Sequence, residues 1–203
     1  MKDVLDIRGL SAEFATRDGI ARAVRDATFS VRAGEKIAIV GESGSGKSTL
    51  ALALLGLLDP PGRVAAGEVW LNGRNIVGLG ERDLKTVRGR IISLVFQDPM
   101  GALDPIKTIG AQLIDTLRRH QPGLSRADAR RRAVELLREV EVAAAERRLD
   151  DYPHQYSGGM RQRVMIAIAI ANNPDIIVAD EPTTALDVTT QAQILALFDG
   201  LVA

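Results

Sequence analysis

Nine consecutive residues constrain this chain more than any others. Gly41-Glu42-Ser43-Gly44-Ser45-Gly46-Lys47-Ser48-Thr49 satisfies G-x-x-x-x-G-K-[ST], the spacing of a phosphate-binding loop. Both flanks agree with it. Residues 36–40 are a short apolar run that reads as a buried strand, and residues 49–58 read as an apolar helix. A strand that turns into a helix through glycines points backbone N–H groups at one spot, where the positive end of the helix dipole also lies. Gly41, Gly44 and Gly46 let the backbone close round phosphate oxygens without Cβ clashes. Lys47 is then placed to neutralise the β- and γ-phosphates, and Ser48 to offer its hydroxyl to Mg2+. A glycine-rich surface turn would account for the glycines but not for the agreement of motif and flanks. The loop points to a nucleotide without saying which class of nucleotide enzyme this is.

The 203 residues suffice for one large domain or for one domain with an inserted lobe, and 46% hydrophobic residues can build a core. The formal net charge is zero, which gives no footprint for nucleic acid and no bias toward a strongly anionic partner. Cysteine is absent, which excludes a disulfide framework and a thiolate metal site. No apolar run reaches the length of a membrane span, and the opening Met1-Lys2-Asp3-Val4-Leu5-Asp6 lacks the apolar core of a signal peptide. The expectation is a chain that stays in the cytosol.

Residues 4–10 alternate loosely as a strand does, and 21–31 continue with Ala23, Ala27, Phe29 and Val31 at β spacing. Residues 64–73 read as a further strand that ends in an Asn72-Gly73 turn. These segments flank the phosphate loop and imply an antiparallel layer beside the nucleotide. Phe14 is a candidate for stacking on an adenine ring; an ordinary core phenylalanine is the alternative. Residues 84–90 read as a short helix, and 91–96 as a buried strand that delivers Gln97-Asp98-Pro99. Pro99 and Pro105 make the next stretch irregular. Ile109, Leu113, Ile114 and Leu117 then recur at helical spacing, and Ser125 opens a helix that runs to about Val140. Its Arg130-Arg131-Arg132 reads as a solvated face. With helical periods and no strand signal, residues 98–155 form a helical lobe inserted into an α/β core.

Ser157-Gly158-Gly159 opens a second apolar helix, ended by Asn172-Asn173-Pro174. Its bare backbone N–H groups make an anion site by the same physics as the first, although a Ser-Gly-Gly start is by itself a common cap. Residues 176–179 read as a buried strand that ends in two carboxylates, Asp180 and Glu181. Asp180 is suited to hold Mg2+ through water, because that ion keeps waters and takes few carboxylates. Glu181 is suited to polarise the water that attacks a γ-phosphate. An acidic pair after a strand also serves as a helix cap; the phosphate loop upstream favours the functional reading. Asp187 reads as the cap of a helix over 188–201.

With these motifs in this order, the chain from about Val4 onward resembles the ATP-binding subunit of an ABC transporter. Gly41 to Ser48 is similar to that family's phosphate loop, and Gln97 to its glutamine loop. Ser157-Gly158-Gly159-Met160-Arg161-Gln162-Arg163 resembles the family signature, with Tyr156 and Met160 where other members often have Leu and Gln. Asp180 and Glu181 match its second acidic motif and general base, and Ala185-Leu186-Asp187 the loop that follows. Phe14 falls where the family places an adenine-stacking aromatic. Gly41-Glu42-Ser43-Gly44-Ser45-Gly46-Lys47-Ser48, Phe96-Gln97-Asp98-Pro99-Met100, Tyr152-Pro153-His154-Gln155 and the run from Asp180 to Thr189 resemble the bacterial subfamily for dipeptide, oligopeptide, glutathione and nickel import.

The resemblance implies an α/β P-loop NTPase core with an antiparallel β layer and an inserted α-helical subdomain. The RecA-like core would take residues 1–97 and 156–203, the helical subdomain 98–155. It implies ATP and Mg2+ as ligands. ATP would be held by Phe14, Gly41, Ser43, Gly44, Ser45, Gly46, Lys47, Ser48 and Thr49, and from an opposing subunit by Ser157, Gly158, Gly159 and Asp187. Ser48, Gln97 and Asp180 would serve the metal, and Glu181, Gln97 and Lys47 the hydrolysis. The partners it implies are a second ABC ATPase subunit paired head to tail, transmembrane permease subunits and, indirectly, a substrate-binding protein, with no nucleic acid. The place of action would be peripheral, on the cytoplasmic face of the cell membrane. One departure stands out. The family carries a histidine beyond the second acidic motif, whereas His120 and His154 both precede Glu181. The expectation is therefore a C-terminally truncated chain that hydrolyses ATP poorly alone. The other readings are an ABC ATPase of DNA repair or translation, a phosphate-loop kinase or GTPase, and a nucleotide-binding fragment without turnover.

Overall fold

A computed structural model describes residues 3–184 and 186–201. These form two compact units, one ending at Ile92 and one running from Ser93 to Leu201.

The first unit is built on a four-stranded antiparallel sheet in the order β2-β1-β3-β4, with β1 at Asp3–Thr16, β2 at Gly19–Arg32, β3 at Gly62–Leu71 and β4 at Arg74–Asn75. Leu5, Ile7, Leu10 and Ala12 of β1 are buried. Their spacing slips by one residue because the strand is irregular between Ile7 and Leu10, which is why the alternation looks loose in sequence. The slip passes Gly9 against Gly67, where an added Cβ would lie 2.4 Å from the Gly9 carbonyl oxygen. Asn72 and Gly73 both have positive φ and join β3 to β4, the signature of a two-residue hairpin turn.

Helix α1, Lys47–Leu54, packs Leu50, Ala51, Ala53 and Leu54 inward. It begins earlier and ends earlier than its apolar run. Gly56, at φ 61, stops it: Gly56 N–H donates to Ala53 O and Leu57 N–H to Leu52 O. The carbonyls of Leu55 and Gly56 are taken by one arginine. Arg88, just past α2 (Glu81–Val87), donates from Nε to Leu55 O at 2.7 Å and from Nη2 to Gly56 O at 2.6 Å. Its Nη1 meets the Glu81 carboxylate at 2.8 Å. Arg88→Ala strips these charge-assisted bonds from a largely buried side chain and is expected to reduce unfolding free energy by about 2 kcal/mol. A lower urea midpoint would show it, and Arg88→Lys should recover only part, since an ammonium cannot span the fork.

Residues 36–40 depart from expectation. They belong to no ladder among the described residues, and Ile37, Ile39 and Val40 are exposed, Val40 at 91%. An apolar run carries strand propensity, but a strand exists only through partners that take its N–H and C=O groups.

The second unit is mainly helical. Its β5 (Ile92–Val95) and β6 (Ile176–Ala179) pair as a two-stranded sheet. Around it lie α3 (Pro99–Ala102), α4 (Ile109–His120), α5 (Arg126–Glu139), α6 (Ala145–Arg148), α7 (Gly158–Ile170) and α8 (Val188–Leu201). Thr108 and Ser125 cap α4 and α5 through their hydroxyls. Leu113 and Leu117 of α4, Leu136 and Leu137 of α5, Ile166 of α7 and Ile194 of α8 share one core. Helix α7 is buried from Gln162 to Ile170 apart from the half-buried Ile168, as its apolar run over 164–170 requires. The arginine run of α5 is a solvated face: Arg130 pairs with Asp150, Arg131 with Asp128 and Arg132 with Glu139, all exposed. Among the described residues no helix is long and apolar enough to cross a membrane.

Candidate functional site

The first candidate group is the loop before α1. Gly46 caps that helix in the left-handed region at φ 98, with no capping hydrogen bond from a side chain. An added Cβ there would lie 2.2 Å from the Ala23 carbonyl oxygen of β2, so this glycine seats the loop directly on the sheet. At Gly44, by contrast, a Cβ would meet nothing within 4 Å, which marks the open side of the loop. Lys47 Nζ donates to Gly41 O and Glu42 O, both at 2.9 Å, folding the ammonium across the loop. Ser43, Ser45 and Ser48 are exposed and Thr49 is half-buried. Uncapped N–H groups, an ammonium and hydroxyls form a donor set that suits phosphate oxygens. Phe14 stands near the end of β1 opposite Ala21 and Gly62; it is half-buried, and a Cβ on Gly62 would strike its ring at 2.5 Å.

The second candidate group lies where β5 and β6 end side by side. Asp180 N–H donates to Val95 O at 3.0 Å, which brings the residues after both strands together. Gln97 Nε2 donates to Glu181 Oε2 at 2.7 Å across 84 residues of sequence. The structure thus unites Gln97 with the acidic pair. It also adds a residue that sequence reading passed over: Thr184 Oγ1 donates to the same Oε2 at 3.1 Å. The available signal was a Glu-Pro-Thr-Thr turn, in which Pro favours the second position and brings first and fourth residues together. Among the described residues no cluster of three His, Cys, Asp or Glu side chains forms a metal cage. Mg2+ is a hard ion that keeps waters and takes few carboxylates, and the Asp180 carboxylate and the Ser48 hydroxyl are each of the oxygen type it takes.

The third group is the start of α7. Ser157 Oγ accepts from Met160 N–H at 3.3 Å, an N-cap. Gly158 faces Leu186, and a Cβ on Gly159 would lie 2.8 Å from Thr190 Cγ2. The glycine turn therefore rests on the start of α8. There Asp187 accepts from Thr190 N–H at 3.0 Å and from Thr190 Oγ1 at 2.6 Å. These Thr190 bonds hold the Asp187 carboxyl below the usual range. Ala185 lies outside the described residues. Tyr156 is buried and donates its hydroxyl to Arg148 O at 2.6 Å; burial raises its pKa. Arg161 Nε bonds Pro153 O at 2.9 Å and ties the same turn down.

The sequence pattern of the ABC transporter family matches residues 24–184. The chain is 49% identical to the dipeptide transport ATP-binding protein DppD of Lactococcus lactis subsp. cremoris over 98% of its own length and 57% of that protein. It is 50% identical to the oligopeptide transport ATP-binding protein OppD of Salmonella typhimurium, over 98% of its own length and 58% of that protein. It thus spans little more than half the length of these relatives. Among solved structures, it is similar to the ATP-binding cassette MJ0796 in a dimeric post-hydrolysis state bound to ADP and Pi. That match has TM-score 0.86 and 32% identity, and covers 98% of this chain and 82% of the cassette. A further dimeric structure of MJ0796, described as a bacterial ABC transporter cassette, has TM-score 0.85 with the same coverage.

Proposed function

Because the chain belongs to the ABC transporter family, we propose that it is the ATP-binding and ATP-hydrolysing part of a peptide importer. The observation that carries this reading is identity near one half, across almost the whole chain, with two peptide-transport ATP-binding proteins. The local geometry supports the chemistry. The loop from Gly41 to Ser48 receives the triphosphate, with its bare N–H groups on phosphate oxygens. Lys47 exchanges its bonds to Gly41 O and Glu42 O for phosphate oxygens, at little desolvation cost because the loop is exposed. Phe14 lies against the adenine ring. Ser48, Asp180 and Gln97 would hold Mg2+, which would supply positive charge to offset that of the phosphates. Glu181 takes the proton of the attacking water, a task within reach of a positioned carboxylate.

The start of α7 completes the site from a second molecule. Ser157 caps the Met160 N–H, and the N–H groups of the glycine-led start receive an anion from an opposing subunit. Head-to-tail pairing makes each loop meet the partner's glycine turn, twice over, with Asp187 beside the junction. The MJ0796 cassettes are dimeric, one with ADP and Pi, which agrees with such pairing. The partners are then a second ABC ATPase, permease subunits in the membrane and, through them, a substrate-binding protein. The protein would act peripherally at the cytoplasmic face.

Peptide uptake tests the reading. Cells lacking the gene are expected to lose ATP-dependent uptake of labelled di- or oligopeptides, and the intact gene but not a Lys47→Ala copy should restore it. Unchanged uptake in the deletion strain would remove peptide import from consideration.

A further inference from the structure

We propose that Thr184 is a positioning residue for the Glu181 carboxylate, an inference that rests on Glu181 acting as general base. Glu181, Pro182, Thr183 and Thr184 form a turn closed by Thr184 N–H on Glu181 O at 3.1 Å. The same threonine donates Oγ1 to Glu181 Oε2, also at 3.1 Å. One residue therefore grips the backbone and the side chain of the glutamate together. The turn is held from outside as well. Gln191 of α8 donates Nε2 to Thr183 O and Leu186 O, each at 3.1 Å. Glu181 needs such bracing, because its φ is 44, in a region that residues other than glycine seldom adopt.

Two donors meet on Oε2, and they differ in kind. Gln97 reaches it from the end of another strand, so its hold depends on what else Gln97 bonds during turnover. Thr184 sits three residues away within the same closed turn, so its hold moves with the glutamate. A general base works only within hydrogen-bond reach of its proton, and a glutamate has rotatable bonds to lose that place. A local donor on one oxygen restricts those rotations before the water arrives. Its loss should act on the chemical step and leave nucleotide binding alone.

The test compares steady-state ATP hydrolysis by the full-length protein in its native assembly, as wild type, Thr184→Val, Thr184→Ser and Glu181→Gln. Thr184→Val keeps the shape and loses the donor; it is expected to lower kcat about three- to tenfold with KM for ATP unchanged. Thr184→Ser keeps the hydroxyl and should retain most of the wild-type kcat. Wild-type kcat in Thr184→Val overturns the proposal. So does equal damage in Thr184→Ser, which would point to the lost methyl, and so does a rise in KM that accounts for the loss. A different failure is recognisable: if wild type does not hydrolyse ATP, or Glu181→Gln hydrolyses it as fast as wild type, the reading of Glu181 itself falls.

Discussion

Glu181→Gln is expected to lower ATP turnover by about 10²- to 10³-fold while ATP affinity stays near the wild-type value. Glutamine is close in shape and keeps an oxygen that can accept from Gln97 Nε2 and Thr184 Oγ1. The turn is therefore preserved and only basicity is removed. A positioned general base contributes within the range that this loss reflects. The two readouts separate a chemical role from a structural one: phosphate release reports turnover, and titration with a fluorescent ATP analogue reports binding. A parallel fall in both would mean that the substitution disturbs the strand ends. Near-normal turnover would move the base elsewhere, and Asp180 would be the neighbouring carboxylate to examine next.

How much of this was legible in the sequence depended on whether the cause was local. The Asn72-Gly73 turn is local: two positive φ values demand two permissive residues, and the dipeptide announces them. Ser125, Ser157 and Asp187 are local in the same way, since an N-cap bonds an N–H three residues on. Helix α8 appeared as expected over 188–201 because its cap marks the start. Residues 36–40 went wrong because a short apolar run states a propensity, whereas a strand requires partners from distant sequence. Gly67 was read as part of a strand, but its need for glycine comes from Gly9 on the facing strand. Arg88 drew no reading of its own beyond the helix over 84–90, because its targets, Leu55 O and Gly56 O, lie 33 and 32 residues away. At the candidate site, each motif was visible alone. That Gln97 bonds Glu181, and that Gly159 rests on Thr190, are products of folding that no motif spacing encodes.

Gly159→Asp should abolish turnover without unfolding the protein, and this asymmetry makes it informative. Position 159 is the second residue of α7, where an acidic side chain complements the helix dipole by about 0.3–1 kcal/mol. Against that stands the close contact with Thr190 Cγ2, a side-chain methyl that can move slightly. Stability should therefore change little, which thermal melting would show. The new carboxylate would nevertheless stand where the proposed site receives a triphosphate. Like charges a few ångströms apart in a water-poor interface repel by several kcal/mol, so a turnover loss of about 10²-fold or more is expected. Lys47→Ala should be equally inactive, by failing on the opposite side of the same phosphates. The two dead proteins then report geometry when mixed. In a head-to-tail pair of one copy of each, one site carries both lesions and the other carries neither. Random pairing makes half the dimers mixed, so roughly a quarter of wild-type activity should return. A mixture as inactive as its components would place loop and glycine turn in the service of one molecule, or of a different partner chain.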